Sequence, residues 1–291
     1  MGWFSLFALL AAIAAAVFIV LRLYKRGLLI PVAKQPLEDM VTAMREHTRI
    51  YAPEGDGPFP AIMLLHGCGG VRPNMPVFAR LAVDLGVMAF VPDSLGPRGI
   101  SYEDALESVC TGARLRAHER TGDLYAVLEI MRNDPRVDAT RLAIAGWSHG
   151  SWTALEALAL DRAGKLPASL THIPSQGLDG IRAIFAMYPY SSFPARSRRL
   201  PWTADIPVEG VLVHGDTICN DEDAVEVFKR QIGWGNDVRW RYVPDATHAF
   251  DEPDHHPTST LIYDEEKARI AHQAFQDFLR RHLLADQGSA D

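Results

Sequence analysis

Cysteine is scarce in this chain: 291 residues hold only Cys68, Cys110 and Cys219. Three scattered thiols cannot staple a disulfide scaffold, and a structural zinc site needs cysteines in short-spaced pairs, so both are excluded. Buried or free thiols are the plain reading, with a Cys110 to Cys219 bridge to consider if the domain faces an oxidising compartment. Excess positive charge is lacking too: 29 Lys and Arg against 36 Asp and Glu give a net charge of -7. No clustered basic stripe offsets that balance, which excludes nucleic acid as a partner. Repeats and low-complexity tracts are absent as well. With 48% hydrophobic and 22% charged residues, the composition is that of a globular protein long enough to bury a full core.

One long apolar run departs from that composition. Residues 3–21, WFSLFALLAAIAAAVFIVL, are interrupted only by Ser5 and can cross a bilayer as a helix. A cleaved signal peptide normally carries a basic residue before its apolar run and a small-residue cleavage site after it. Here no charge precedes the run, whereas Arg22, Lys25 and Arg26 follow it. An N-terminal membrane anchor is therefore expected over a cleaved signal, with the basic flank and the domain behind it on the cytoplasmic side.

From Arg49 onward, short apolar runs ending in turn residues alternate with helical patterns. The runs are 61–67, 87–94, 141–148, 181–189, 208–215 and 238–244. Such runs suit strands buried on both faces of a mainly parallel sheet. Between them, Leu124, Val127, Leu128 and Met131 share one helical face, as do Ala271, Phe275, Phe278 and Leu279. The alternation predicts an α/β fold with helices on both faces of the sheet. The expected organisation is an anchor over 1–26, a linker with an amphipathic piece over 27–45, one α/β domain over 46–284 and a flexible tail over 285–291. Stretches 161–180 and 191–207 are irregular and are expected to be loops or a small lid near the strand ends.

Gly146, Trp147, Ser148, His149 and Gly150 form GxSxG between the strand pattern 141–145 and the helical pattern 151–160. A strand-to-helix turn this tight needs small flanking residues, and it lifts the serine hydroxyl above the sheet beside a helix N-terminus. Ser148 is the candidate nucleophile. The alternative is a glycine-rich turn in which Ser148 only caps the helix. Strand 61–65 runs into His66, Gly67, Cys68, Gly69 and Gly70, whose glycines let backbone approach a bound carbonyl. The N–H groups of Cys68 and His149 are the expected oxyanion donors.

Where a serine nucleophile precedes its acid and its base in chain order, the base follows the last strand. His248 sits there, in DATHAF, and is the candidate base. His255 and His256 fall in an acidic loop, and His272 and His282 within the last helical pattern. A metal cluster of Asp245, His248, Asp251, His255 and His256 is the alternative, with a spacing that matches no established ligand pattern. The acid should follow the strand 208–215, where Asp216, Asp221 and Asp223 stand. Asp216 is preferred, being closest to the strand end. Asp221 is expected to cap a helix over 221–230 instead.

Five motifs in order, LLHGCGG, VPDSLGPRG, GWSHG, HGDTICND and THAFDEP, resemble the dienelactone hydrolase family over residues 45–284. The resemblance implies an α/β-hydrolase fold, hydrolysis of a small-molecule ester or lactone through an acyl-enzyme, and no cofactor. Ser148 stands where the founding enzymes carry a cysteine, as in the serine-type relatives. Glu252 stands where those enzymes carry an arginine that binds a substrate carboxylate. Arg98 in the DSLGPRG loop is a candidate for binding an anionic group, its alternative being a structural arginine that ties down the loop. The rival functions are a peptidase of prolyl-oligopeptidase type and a catalytically silent binding domain.

Overall fold

The computed structural model describes residues 3–25, 29, 31–254, 256 and 259–285. Each of the six apolar runs forms a strand: β2 (Phe59–Leu65), β3 (Met88–Pro92), β4 (Val137–Trp147), β5 (Ile181–Met187), β6 (Val208–Val213) and β7 (Val238–Val243). These six pair in parallel. A further strand, β1 (Thr48–Tyr51), pairs antiparallel with β3, Thr48 opposite Pro92. The resulting order is β1-β3-β2-β4-β5-β6-β7.

Burial on both faces explains why the inner strands β2, β3, β5 and β6 read as mostly apolar runs, whereas the edge strand β7 carries exposed Arg239 and Arg241. In β2, Met63 and Leu65 join one core cluster and Ile62 and Leu64 the other, as the two-residue period of a strand requires. The first cluster is closed by α2 (Leu37–Glu46), α5 (Ala117–Arg132), α6 (His149–Arg162) and α7 (Asp221–Gly233). The second is closed by α3 (Asn74–Val83) and α8 (Glu265–Leu279), through Phe78, Phe275 and Phe278. Phe78, Phe275 and Trp147 meet in edge-to-face and tilted contacts, and Phe278 tilts against Phe185 of β5, filling the layer between sheet and helices.

At the N-terminus, α1 (Trp3–Lys25) contains a span, Ser5–Tyr24, of mean hydropathy 2.7 with none of it buried against the rest of the chain. It is long and apolar enough to cross a membrane, although a signal sequence would meet the same criterion. The stretch expected as a linker carries α2, whose Met40 and Met44 are buried in the cluster with Leu124 and Leu128 of α5. Gln35 also exchanges backbone hydrogen bonds with Ser169 and Thr171. The folded body therefore begins before residue 46. Of the expected tail, residues 286–291 lie outside the described residues.

The two irregular stretches part at the sheet ends: 161–180 stays at the strand N-termini, whereas 191–207 starts at the C-terminal side and returns by Thr203, which bonds Leu158 and Asp161. Residues 161–180 precede β5 and so lie at the strand N-termini, where Arg132 donates to the carbonyls of Gly177 and Asp179. The first part of 191–207 follows β5 on the strand C-terminal side and is held by Glu156, which accepts from the backbone N–H groups of Arg196 and Ser197. Only the second stretch can cover a site at the strand C-terminal ends.

Candidate active site

Between the end of β4 at Trp147 and the start of α6 at His149 there is a single residue, Ser148, with φ 52°. Positive φ at a non-glycine residue is a strained backbone that surrounding structure must hold. A Cβ on Gly146 would lie 2.4 Å from the Ser151 nitrogen, and one on Gly150 would lie 2.0 Å from the Leu65 carbonyl oxygen. Both glycines are thus required by close approach: one lets α6 turn back against β4, the other lets α6 pack on β2. Ser151 Oγ donates to the Gly146 carbonyl at 2.6 Å and closes the turn.

Three separate loops converge on Ser148. His248, in the loop after β7, has Nε2 3.0 Å from Ser148 Oγ and Nδ1 2.7 Å from Asp216 Oδ2. The carboxylate can only accept from the ring, so Nδ1 carries hydrogen and Nε2 is left to accept from the serine hydroxyl. Asp216, directly after the β6 turn, is itself fixed: its Oδ1 accepts from Ile218 N–H at 2.8 Å and Cys219 N–H at 2.9 Å. Burial works against the charge on Asp216, but the bond to His248 and those two amides outweigh it, and its pKa is lowered. For His248, burial likewise opposes the imidazolium, yet the Cys219 sulfur and the Asp216 carboxylate favour it and the net pKa is raised. Asp221 does not reach the histidine. Nor does it cap α7: it accepts from Gly215 N–H at 3.1 Å and from the Tyr242 hydroxyl at 3.3 Å. The short turn after β6 puts Asp221 behind Asp216, where it braces that turn.

The loop after β2 lies against the elbow through Arg120, which the sequence reading missed. This side chain, 1% exposed, donates from Nη1 to the His66 carbonyl at 2.8 Å and to His149 Nδ1 at 3.1 Å, and from Nε to Ser94 Oγ at 2.9 Å. One guanidinium thus ties His149, one expected oxyanion donor, and the start of the loop that carries Cys68, the other, to the loop after β3. Burial followed by the Arg120 charge lowers the pKa of His149 to about 3, so its ring is neutral and accepts that bond. Arg98 faces elsewhere. It forms a two-pronged pair with the buried Asp123, at 2.8 and 3.0 Å, and donates to the Ser94 carbonyl. It borders neither cavity next to Ser148, so the structure gives it the loop-tying arrangement in place of the anion-binding one.

The cysteines are arranged differently from expectation. Cys68 is bridged to Cys110, and Cys219 is a free, buried thiol. The Cys110 to Cys219 pairing is thereby corrected: Cys219 sits inside the site, with Sγ 3.5 Å from Ser148 Oγ and 3.9 Å from His248 Nε2. Beneath His248, Asp251 accepts from Tyr188 Oη at 2.6 Å, Trp147 Nε1 at 2.9 Å and Asn74 Nδ2 at 3.0 Å. Tyr188 in turn packs its ring 4.5 Å from the His248 ring. Of the residues weighed as metal ligands, His248 and Asp251 are therefore engaged with protein partners, and His255 lies outside the described residues. Among the described residues, no three His, Cys, Asp or Glu side chains group so as to hold a metal ion.

A family model for the dienelactone hydrolase family matches residues 47–283, nearly all of the folded body. The chain belongs to the dienelactone hydrolase family. Solved structures agree on the α/β-hydrolase fold. A dienelactone hydrolase from Anabaena variabilis superposes with a TM-score of 0.56 at 16% identity, covering 81% of this chain and 91% of that one. Thermogutta terrifontis esterase 2, caught phosphonylated by cyclosarin, gives a TM-score of 0.61 at 12% identity over 83% of this chain and 89% of its own. A dipeptidyl-aminopeptidase B of Fusarium vanettenii is 31% identical over 140 residues, 45% of this chain. The chain spans only 15% of that relative's length. Membership fixes this dienelactone hydrolase relative as a hydrolase-type protein and leaves its substrate to the site.

Proposed function

We propose that this dienelactone hydrolase family member is a serine hydrolase that cleaves a carboxylic ester or lactone through an acyl-enzyme. The observation that carries the reading is the continuous line Asp216–His248–Ser148, with contacts of 2.7 and 3.0 Å. His248 takes the Ser148 proton through Nε2 as Oγ attacks the carbonyl, and the bond to Asp216 stabilises the imidazolium that forms. The developing oxyanion is met by the N–H groups of Cys68 and His149, the second in the first turn of α6, where amides have no intrahelical acceptor. His248 then gives its proton to the leaving alcohol. A water, activated the same way, releases the acid.

The second reading, a peptidase, is favoured by one observation, the 31% identity to the aminopeptidase segment. Both chemistries use the same triad, so substrates decide. Fluorophosphonate treatment is expected to add one adduct, at Ser148, and the protein should turn over short-chain p-nitrophenyl esters far faster than aminoacyl anilides. An adduct on any other residue sinks the nucleophile assignment, and anilide preference transfers the protein to the peptidase reading.

For placement, the expected cytoplasmic side is disfavoured by the Cys68–Cys110 bridge, because disulfides persist in oxidising compartments and are rare in the cytosol. We propose accordingly that the domain lies on the non-cytoplasmic face, tethered by α1. Protein extracted from membranes, denatured without reductant, should take up one maleimide per chain, at Cys219, and three after reduction. Three without reduction would return the domain to the cytoplasm.

A further inference from the structure

Two cavities flank Ser148. One, about 250 Å³, is bounded by Trp152, Tyr190 and Phe193. The other, about 310 Å³, is bounded by Arg72, Tyr102, His248 and Glu252. Cys68, Cys110, Ser148 and Ile218 border both, so the disulfide stands where the two meet.

The chemistry of the acyl-transfer step assigns a role to each. A tetrahedral carbon on Ser148 Oγ carries an oxyanion, the acyl chain and the leaving oxygen. The oxyanion is directed at backbone N–H groups, and the leaving oxygen must come within hydrogen-bond reach of His248 Nε2 to receive its proton. His248 borders the second cavity and not the first. The alcohol portion therefore occupies the second cavity and the acyl chain the first.

Their walls differ in kind. Among the described residues that line the acyl cavity there is no Asp, Glu, Lys or Arg, and Trp152 and Tyr190 present rings tilted at 45° with centroids 5.0 Å apart. A charge on the acyl chain would lose its hydration there with no opposite charge in return. In the alcohol cavity Arg72 bonds Glu252 Oε1 at 3.1 Å and lies 4.1 Å above the Tyr102 ring. Polar groups on a leaving alcohol meet a guanidinium and a carboxyl group there. In a small lactone, by contrast, the acyl carbon and the leaving oxygen belong to one ring and cannot fill two separate cavities.

Resting on the serine-hydrolase reading, we infer that the substrate class is open-chain esters, with an uncharged apolar or aromatic acyl group held by Trp152, Tyr190 and Phe193 and a polar alcohol held beside Arg72 and Glu252. The test fills each cavity in turn in the full-length protein. Thr111 lines only the acyl cavity and Leu106 only the alcohol cavity, and neither belongs to the catalytic line. Thr111→Trp should lower kcat/KM for hexanoyl relative to acetyl p-nitrophenyl esters by about tenfold or more, since one methylene in an apolar pocket is worth that much. It should leave the ranking of acetate esters of different alcohols unchanged. Leu106→Trp should do the reverse. Independently of any variant, the wild-type protein should disfavour a succinate monoester against the matching butyrate ester by at least about tenfold, and should prefer open-chain esters to five- and six-membered lactones. Crossed penalties, indifference to the succinate charge, or faster lactone turnover would overturn the cavity assignment while leaving Ser148 a hydrolase nucleophile. Failure of the wild-type protein to turn over any ester would remove the serine-hydrolase reading and this inference with it.

Discussion

Ser148→Ala is expected to lower kcat by on the order of 10⁶-fold, the size seen when the nucleophile of a serine triad is removed, with no fluorophosphonate adduct remaining. The fold should survive. Among the described residues, the Ser148 hydroxyl reaches only His248 Nε2 and Cys219 Sγ, and alanine meets the same backbone cost as serine at φ 52°. The melting temperature should therefore move by no more than about 2 °C, which corresponds to less than about 1 kcal/mol in a chain of this size. Cys219 makes the experiment more demanding than usual. Its sulfur is 3.9 Å from His248 Nε2, so a second nucleophile stands beside the base once the hydroxyl is gone. Residual turnover that a thiol-alkylating reagent removes would show acyl transfer passing to Cys219. Full activity in Ser148→Ala would mean that the elbow presents a capping serine and the chemistry lies elsewhere.

Much of this arrangement could be read before the structure because a few contacts permit few residue types. Gly146 and Gly150 have backbone atoms where a Cβ would sit, so the elbow is written as small residues at fixed spacing. Inner strands buried on both faces are apolar at most positions, so β2 to β6 stood out, and the edge strand β7 stood out less, its exposed Arg239 and Arg241 alternating with Val238, Trp240 and Tyr242. The edge strand β1 did not: its four residues are half-exposed or exposed, and an edge strand places no such demand on its sequence. The first turn of α5, Ala117–Arg120, lies before the apolar face that begins at Leu124 and escapes that pattern for the opposite reason. Arg120 and Thr121 are polar and yet buried, and hydrophobic periodicity cannot register a side chain buried to make hydrogen bonds. That blind spot also directed attention to the wrong arginine, since Arg98 lies in a conspicuous loop motif whereas Arg120 binds the loops together from within a helix. The cysteine pairing was equally out of reach. Cys68 and Cys110 are 42 residues apart, and only the fold determines that the loop after β2 meets the segment following α4 (Tyr102–Ser108).

The choice between Asp216 and Asp221 turned on the length of one turn, and their variants should now separate by orders of magnitude. In Asp216→Asn, Oδ1 can still accept from Ile218 and Cys219 N–H, so the loop keeps its shape. The amide nitrogen that replaces Oδ2 then faces His248 Nδ1 across 2.7 Å and can only donate. The ring must answer by placing its hydrogen on Nε2, where it points at Ser148 and cannot accept the hydroxyl proton. A loss in kcat of about 10⁴-fold, with little change in substrate binding, is the expected size for a triad locked in the wrong tautomer. The pH profile supplies a signature that a merely structural defect would not give. The base must be neutral to act, and the Asp216 charge helps hold the pKa of His248 above its ordinary value. The rise of kcat/KM with pH in the wild-type protein should consequently lie above the ordinary histidine range, and the residual activity of Asp216→Asn should rise at lower pH. Asp221→Asn keeps an acceptor for Gly215 N–H and leaves the Asp216–His248 bond untouched, so it should change kcat by less than about tenfold, the effect of about 1 kcal/mol in a turn that only supports the acid. A large kcat loss in Asp221→Asn beside a mild one in Asp216→Asn would make Asp221 the acid and would require the turn after β6 to rearrange when substrate binds.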